Sequence, residues 1–283
     1  MTGRIAMTAP DFYEVAYTIN PWMRPDEWSQ DGGLALERAK SQWSALADRL
    51  RAAGMTIEII PGAPGLPDLV FPANAAIVLD GRVLLARFRH PERRGEEACF
   101  RQFFQALVAR GLLSEIRLLP EGVFQEGAGD CLWDASRQMF WAAFGPRSSQ
   151  ESLAHIADFF GKPVTGLELV TERFYHLDTC FNVLSGGEIL YFPPALSARS
   201  QGLVAEHVPA SMRIEASAEE AAAFSLNAVG IGHDLLMATP PQRLRHLLEE
   251  RGYRCIGLDL SSFILSGGAS FCMTLRLDLT SAG

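Results

Sequence analysis

The sequence lacks several features that would assign it to a common functional class. None of its apolar runs reaches the length of a membrane span, so the chain is not expected to cross or anchor in a membrane. It has no Lys/Arg run, and a formal net charge of −8 with a pI near 5.3 argues against a nucleic-acid partner. Its first seven residues have no apolar signal core. With 48% hydrophobic and 20% charged residues, it is expected to be a soluble globular protein.

Cysteine and histidine patterns exclude further classes of site. The five cysteines are odd in number and show neither a disulfide framework nor CxxC spacing, which predicts reduced thiols and a cytoplasmic location. The six histidines are scattered without an HxH or HExxH motif, so no metal site is expected. No glycine-rich phosphate loop of the usual kinds is present, and no cofactor is predicted.

A repeated hairpin is the most informative pattern in the sequence. Apolar strands flank short turns in four segments and a shorter fifth copy follows, over residues 74–88, 129–144, 178–192, 226–240 and 269–277. A short apolar strand precedes each hairpin and is assigned to the same unit. Helical segments with three-to-four apolar spacing, such as 34–53 and 96–110, separate the copies. Five units with a period of roughly 40 to 60 residues indicate a propeller or a solenoid.

The two ends of the chain would complete the fifth unit. Its last strand, 272–277, has no return strand, and residues 4–10 can supply one, which would remove an exposed sheet edge. We therefore predict one domain over residues 1–283, a five-bladed pseudo-symmetric α/β propeller whose ring is closed by the N-terminal strand. The alternative is an open α/β sheet without symmetry, but such a sheet uses single crossover strands rather than hairpins.

Polar residues stand where the hairpins begin, so a closed ring would gather them at one end of its axis. Asp68 and Asn74 open the first hairpin, and Glu126 and Asp130 flank the glycines that open the second. Each of these residues is common in turns, and it is their shared position that favours function. Asn227 opens the fourth hairpin and carries no chemical signal of its own.

The third and fifth hairpins open on residues with catalytic chemistry. His176 and Asp178 are two positions apart, so in a strand they would face the same side, and a histidine beside a carboxylate can act as a general acid or base. Cys272 follows a run of small residues, 266–270, that would let a ligand approach the sulfur. Its thiolate would need positive neighbours or a base. The other four cysteines are expected to be small core residues.

Two further segments have a charged or aromatic character. Residues 87–94 contain four arginines and a histidine, and Arg147 follows the second hairpin. These cations are either solvated loop charges or a guanidinium fork that recognises a substrate carboxylate. Residues 7–23, rich in turn formers and aromatics, are expected to pack as an arm beside the last hairpin rather than to form a lid.

Four motifs resemble those of the guanidine-modifying enzymes, or penteins, a superfamily that includes arginine deiminases, dimethylargininases, amidinotransferases and arginine dihydrolases. They are LPDLVF at 66–71 with AN at 73–74, EGAGD at 126–130, FYHLDT at 174–179 and GGASFCMTL at 267–275. The motifs occur in the family's order over nearly the whole chain. The family's fivefold pseudo-symmetric fold agrees with the hairpin repeat.

The resemblance implies a role for each matching residue. The expected roles are a nucleophile (Cys272), a general acid/base (His176) with its carboxylate partner (Glu126), two residues that grip the guanidinium (Asp68 and Asp178), and two that bind an α-carboxylate (Arg93 and Arg147). The pair Ala73 and Asn74, with the segments 11–15 and 19–23, most resembles the arginine dihydrolase branch. In that branch the asparagine equivalent to Asn74 is implicated in a second hydrolysis.

The implied function is a cysteine-dependent hydrolase of arginine or a methylated arginine. A covalent S-amidino intermediate would release ammonia or methylamine and leave citrulline or, after a second hydrolysis, ornithine. An amidinotransferase is the alternative, since an amine can replace water. A non-catalytic ribosome-binding pentein and a papain-like peptidase fit less well, because neither accounts for the paired acidic residues. The sequence leaves open the choice of guanidine and whether the protein is a homo-oligomer.

Overall fold

The computed structural model describes residues 3–31 and 33–282. In these residues the strands are β1 Arg4–Thr8, β2 Thr56–Ile60, β3 Ala76–Leu79, β4 Arg82–Leu85, β5 Glu115–Arg117, β6 Cys131–Asp134, β7 Met139–Phe144, β8 Val164–Glu168, β9 Phe181–Val183, β10 Ile189–Tyr191, β11 Arg213–Glu215, β12 Val229–Ile231, β13 Asp234–Ala238, β14 Arg254–Leu258 and β15 Leu275–Arg276. The helices are α1 Pro25–Gln30, α2 Gly33–Ala52, α3 Glu96–Ala109, α4 Ser152–Phe160, α5 Ala198–His207, α6 Ala218–Ala222, α7 Gln242–Glu249 and α8 Ser261–Ile264. In the described residues, no helix is both long and apolar enough to cross a membrane.

The strands form five three-stranded sheets of the same design. Their orders are β15-β1-β2, β3-β4-β5, β6-β7-β8, β9-β10-β11 and β12-β13-β14. In each sheet an antiparallel pair is extended by a parallel strand, and a helix lies between the central strand and that parallel strand in the chain. A parallel neighbour requires such a crossover, which explains why helices alternate with hairpins.

The ends of the chain share a sheet. Ile5 pairs with Arg276 and Ala6 with Leu275 in the antiparallel ladder between β1 and β15. On its other side β1 pairs in parallel with β2 over its whole length. The predicted ring closure by the N-terminal strand is therefore confirmed, and with it the five-unit α/β propeller.

The prediction grouped the strands incorrectly within each unit. It joined every short strand to the hairpin that follows it, whereas β5, for example, pairs with β4 of the preceding hairpin. The helix that separates hairpin and strand is long enough to return the chain to the same sheet, so the repeating unit is hairpin, helix, strand. The fifth segment was also predicted as strand from Cys272 onward, but residues 269–274 form turns and β15 begins only at Leu275.

The first hairpin has a tight turn at one end and its opening loop at the other. Between β3 and β4, Asp80 and Gly81 have φ of +54° and +72°, the signature of a two-residue turn that matches strand twist. The opening loops themselves are short 3₁₀ turns at Pro67–Val70, Pro72–Ala75, Gly127–Gly129 and Leu177–Thr179. The opening loop of the second hairpin contacts the opening loops of the first and the third, as the closed ring requires.

Candidate active site

Cys272 lies in the turn that precedes β15, and its side chain is buried. Its Sγ is 3.0 Å from Oδ2 of Asp178 and 3.1 Å from Nδ2 of Asn227. The backbone N–H of Cys272 donates to Oδ1 of Asn227 at 3.1 Å. Burial, followed by the nearby Asp178 charge, raises the pKa of the Cys272 thiol well above its usual range. Without a cation beside it, the sulfur is therefore held as a thiol that donates to Asp178.

His176 and Glu126 form a buried pair. Nε2 of His176 lies 2.7 Å from Oε2 of Glu126, and Nη1 of Arg147 donates to the same oxygen at 3.0 Å. Burial lowers the pKa of His176 to about 4, which leaves the imidazole neutral near pH 7. Burial alone would raise the pKa of Glu126, but the Arg147 charge and the His176 hydrogen bond hold it well below its usual range. The pair thus consists of a carboxylate and a neutral imidazole oriented by it.

The spacing of His176 and Asp178 predicts a strand, but the two residues do not lie on one. His176 precedes the 3₁₀ turn Leu177–Thr179, and β9 begins only at Phe181. The turn separates the two side chains, so that His176 contacts Glu126 while Asp178 contacts Cys272. The two-residue periodicity of a strand does not hold in a 3₁₀ turn, and the same-face prediction was wrong for that reason.

Asp68 and Asp178 each keep one buried carboxylate oxygen without a partner. Oδ2 of Asp68 accepts from the Tyr17 hydroxyl at 3.0 Å, but Oδ1 has no hydrogen bond within the described residues, and the same holds for Oδ1 of Asp178. Burial raises the pKa of Asp178 to about 7 and also raises that of Asp68. Buried carboxylate oxygens of this kind are costly unless a donor pairs with them, so both residues suit a cationic ligand with several N–H groups.

Asn74 contacts Glu126, His176 and Arg93. Its Nδ2 donates to the Glu126 carbonyl at 3.0 Å and lies 3.5 Å from Nδ1 of His176. Its Oδ1 accepts from Nη1 of Arg93 at 2.9 Å. Asn74 therefore faces the ring nitrogen of His176 that Glu126 leaves free.

Arg93 and Arg147, expected to bind a carboxylate, are both buried against acidic side chains of the protein. Arg93 holds Glu96 through Nε and Nη2 at 2.9 and 2.8 Å. Arg147 binds Glu126 and also donates to the Ile19 carbonyl at 3.0 Å. These contacts explain why the two guanidinium groups can be buried, and their role toward a substrate carboxylate stays a prediction.

Comparison with known proteins shows the family of the chain. The family described as N,N dimethylarginine dimethylhydrolase, eukaryotic, matches residues 14–279. The chain belongs to this family. The resemblance based on the four sequence motifs is thereby confirmed.

Relatives of this dimethylarginine dimethylhydrolase family member differ in length. The chain is 39% identical over 274 residues to the bifunctional arginine dihydrolase/ornithine cyclodeaminase ArgZ of Synechocystis sp., which covers 97% of the chain and 37% of ArgZ. It is 34% identical over 276 residues to the N(G),N(G)-dimethylarginine dimethylaminohydrolase of Mycobacterium tuberculosis, over 98% of the chain and 86% of that enzyme. The chain thus spans little more than a third of the length of ArgZ.

Solved structures of the family have the same fold. A substrate-bound mutant of the N-terminal domain of ArgZ, described as an arginine dihydrolase, matches with a TM-score of 0.92 and 38% identity over 99% of both chains. A dimethylarginine dimethylaminohydrolase adduct matches with a TM-score of 0.76 at 20% identity. Both likenesses agree with the five-unit propeller read from the hairpin repeat.

A cavity of about 750 Å³ lies beside Arg147 and Tyr175. The N-terminal segment forms one wall through residues 18–21, and Arg89 and His90 line another part. The Tyr175 hydroxyl donates to the carbonyl of Gly267, which lies just before the Cys272 turn, at 2.7 Å. The N-terminal segment was expected beside the last hairpin; its Tyr13 hydroxyl donates to the Ser262 carbonyl of α8, and its Tyr17 hydroxyl donates to Asp68.

Sequence reasoning missed Asn227 as a member of the site. It was taken as an ordinary hairpin residue, yet its side chain is fully buried and contacts Cys272. Tyr17 and Glu96 were missed as well, although they hold Asp68 and Arg93. The only signal available for Asn227 was its position at the opening of a hairpin, the position that singled out Asp68, Glu126 and His176.

Proposed function

We propose that the protein is a cysteine-dependent hydrolase of a guanidino group, acting on arginine or a methylated arginine. The observation that carries the proposal is the Cys272 sulfur, 3.0 Å from Asp178, in a buried site where Asp68 and Asp178 each have a carboxylate oxygen with no partner among the described residues. A flat cation with N–H groups on two edges would pair with both oxygens and present its carbon to the sulfur. The same cation would stabilise the thiolate, which burial and Asp178 otherwise oppose.

The proposed mechanism gives Cys272 and His176 the following roles. On binding of the guanidinium, neutral His176 takes the thiol proton, and the Cys272 thiolate attacks the guanidinium carbon. His176 then gives that proton to the departing amine, which leaves with the carbon–nitrogen electron pair as ammonia or a methylamine. A cationic S-amidino intermediate remains on the sulfur. Water, deprotonated by His176, adds to its carbon, and the carbon–sulfur bond breaks to release thiolate and a ureido product such as citrulline.

A second hydrolysis would convert the ureido product to ornithine, carbon dioxide and more ammonia. Support for this version comes from the 39% identity to ArgZ, an arginine dihydrolase, and from Asn74, which faces Nδ1 of His176. A methylated arginine is the competing substrate, and the 34% identity to a dimethylarginine dimethylaminohydrolase favours it. An amidinotransferase would use the same intermediate with an amine in place of water.

The proposal extends to the remaining parts of the protein. Residues 1–283 would act as one catalytic domain, with Arg93 and Arg147 near the substrate α-carboxylate, a small guanidino compound as the partner, and no cofactor. A homo-oligomer and a cytoplasmic location also stay proposals. The cytoplasmic location is proposed because all five cysteines are free thiols.

Product analysis tests the reaction. The protein is incubated with arginine and with dimethylarginine, and ammonia, methylamines, citrulline and ornithine are identified by mass spectrometry. We expect release of ammonia or methylamine, and complete loss of product for Cys272→Ser, because the serine hydroxyl is a far weaker nucleophile. Undiminished turnover by that variant would exclude Cys272 as the nucleophile. A new guanidino product on addition of glycine or lysine would identify a transferase instead.

The same assay on Asn74→Asp separates one hydrolysis from two. The new carboxylate would lie against the Glu126 carbonyl and favour a second proton on Nδ1 of His176, so His176 would be a poorer base for the water attack of the second hydrolysis. We expect the ratio of citrulline to ornithine to rise. An unchanged ratio would count against a dihydrolase.

A further inference from the structure

Asn227 uses all four of its side-chain hydrogen-bonding positions, and its side chain is fully buried. Oδ1 accepts from the backbone N–H groups of Ala269 and Cys272, each at 3.1 Å. Nδ2 donates to the Asp178 carbonyl at 3.1 Å and to Sγ of Cys272 at 3.1 Å. An amide has two lone pairs on oxygen and two protons on nitrogen, so this set is complete.

The two backbone N–H groups determine which way the amide faces. A backbone N–H can only donate, so the atom facing Ala269 and Cys272 must be the amide oxygen. The amide nitrogen is then left facing the sulfur and the Asp178 carbonyl. One residue thus holds the Cys272 turn with its oxygen and the reacting sulfur with its nitrogen.

We propose that the Asn227 side-chain amide donates a hydrogen bond to the Cys272 thiolate and so sustains the nucleophile. Its catalytic meaning depends on the function proposed above, whereas the hydrogen bond itself does not. When Cys272 loses its proton, the Asp178 carboxylate changes from an acceptor to a repelling charge, but Nδ2 of Asn227 keeps its hydrogen bond and strengthens it. Asn227 is therefore the side-chain donor to the sulfur in the part of the chain that the structure describes.

The groups around the sulfur shift the pKa of Cys272 in opposite directions. Burial and Asp178 raise the pKa of Cys272, while the Ala269 backbone and Asn227 lower it. Tyr175 is also coupled to the Cys272 charge, and burial raises the pKa of its hydroxyl well above its usual range. Among the groups that lower the Cys272 pKa, Asn227 is the one that acts through a side chain, so a substitution can test it.

Asn227→Asp is the test, because it preserves the shape and the oxygen that holds the turn but replaces the donor to the sulfur and carbonyl with a negatively charged acceptor, so the lost hydrogen bond and the added charge both oppose the thiolate. The rate of iodoacetamide alkylation of Cys272 is measured against pH without substrate, by mass spectrometry of the Cys272 peptide. We expect the alkylation midpoint to move at least one pH unit upward, which is tenfold less thiolate at a given pH below it. A midpoint equal to that of the wild type would overturn the proposal.

Asn182→Asp is the matched control. Asn182 is also buried and braces the Asn227 segment, through bonds from Nδ2 to the Leu226 and Ala228 carbonyls at 2.8 and 2.7 Å, but it does not contact Cys272. We expect its midpoint to match the wild type. A shift as large as that of Asn227→Asp would show that loosening the segment is sufficient, and would also overturn the proposal.

A wild-type measurement covers the case in which Asn227→Asp does not fold. The chain has only four asparagines, Asn20, Asn74, Asn182 and Asn227, so selective ¹⁵N-asparagine labelling gives four side-chain amide pairs. Asn182→Asp assigns one pair. We expect a different pair to shift in step with Cys272 ionisation and to lose that transition in Cys272→Ala. Four pairs insensitive to Cys272 ionisation would contradict the proposal, even if guanidine hydrolysis were confirmed. Conversely, if a pair shifts but no hydrolysis is found, only the proposed hydrolase function would be refuted, and the hydrogen bond would stand.

Discussion

At the Cys272 sulfur, a donor and an acceptor side chain oppose each other. Asp178 accepts from the thiol at 3.0 Å and its charge raises the thiol pKa, while Asn227 lowers it. Burial also raises the pKa of Asp178 to about 7, so a thiolate and a carboxylate side by side would be unfavourable in the free protein. In the proposed function, a guanidinium between Asp68 and Asp178 would stabilise both anions at once. Formation of the thiolate should therefore follow binding of the cation.

Asp178→Asn separates these two roles of the carboxylate. Removing the negative charge lowers the pKa of Cys272, so alkylation of the free protein at pH 8 should become at least about tenfold faster. The same change removes one partner of the substrate cation, and such losses cost about 2–5 kcal/mol, so kcat/KM should fall by roughly 30-fold or more. Alkylation by iodoacetamide and steady-state ammonia release measure the two effects.

Asp134→Asn controls for the loss of a buried carboxylate elsewhere. Asp134 is fully buried, accepts from Trp141 at 2.9 Å and pairs with Arg137 at 2.7 Å, away from the sulfur. It should lower stability without changing Cys272 alkylation. If Asp178→Asn left the alkylation rate unchanged or slower, the carboxylate would not be what holds the thiol protonated.

At the scale of an element, the 3₁₀ turn Gly127–Gly129 lies between the first hairpin and the buried His176–Glu126 pair. Gly127 has a φ of +66°, and a Cβ there would lie 2.6 Å from the Asn74 carbonyl carbon and also against the Ala73 carbonyl oxygen. The left-handed backbone alone disfavours a side chain, and here backbone atoms of the neighbouring turn cannot move aside. The glycine thus allows the Asn74 and Glu126 turns to touch.

Gly127→Ala should therefore destabilise the protein more than the backbone angle explains. Gly54→Ala is the matched control, since Gly54 has a φ of +85° with no atom within 4 Å of an added Cβ. We expect about 1 kcal/mol for Gly54→Ala and about 2 kcal/mol or more beyond that for Gly127→Ala, because a clash with backbone is added. Urea unfolding measures both, and equal losses would show that the two turns do not press on each other. Turnover should fall only for Gly127→Ala.

At the scale of the whole molecule, β1 is the strand that closes the ring. Its side chains alternate between two cores, with Ile5 and Met7 packed in the cluster that contains Leu46 and Leu50 of α2, and Ala6 in the cluster beneath β3 and β4. The strand is central in its sheet, with β15 on one side and β2 on the other. A weakened β1 therefore affects both ends of the chain.

Ile5→Ala tests the importance of this closure. Ile5 is fully buried, and its truncation should cost about 3 kcal/mol of unfolding free energy. Ile59→Ala on the adjacent β2 is the same substitution at a side chain that is 46% exposed, and about 0.5 kcal/mol or less is expected. Urea unfolding is followed by tryptophan fluorescence and by loss of activity. Similar costs for the two variants would contradict the assignment of β1 to the core of the ring.

The hairpin repeat, the ring closure and the positions of the opening residues could all be read from the chain. Each depends on local patterns: alternating apolar residues, turn formers such as Asp80 and Gly81, and polar residues at fixed places before the strands. The helices at 33–52 and 96–109 were likewise predicted from their spacing and confirmed. The motifs around Asp68, Glu126, His176 and Cys272 identified the family before any contact was known.

What the sequence by itself determined is therefore the repeating pattern and the chemistry available at each opening. Only the tertiary structure decided the partners: His176 turns to Glu126, Asp178 turns to Cys272, and Asn227 joins the site. The tertiary structure also decided to which sheet each parallel strand belongs. The physical reason is that these contacts join residues some 45 to 94 positions apart, so they exist only once the ring has closed, and no local periodicity encodes them.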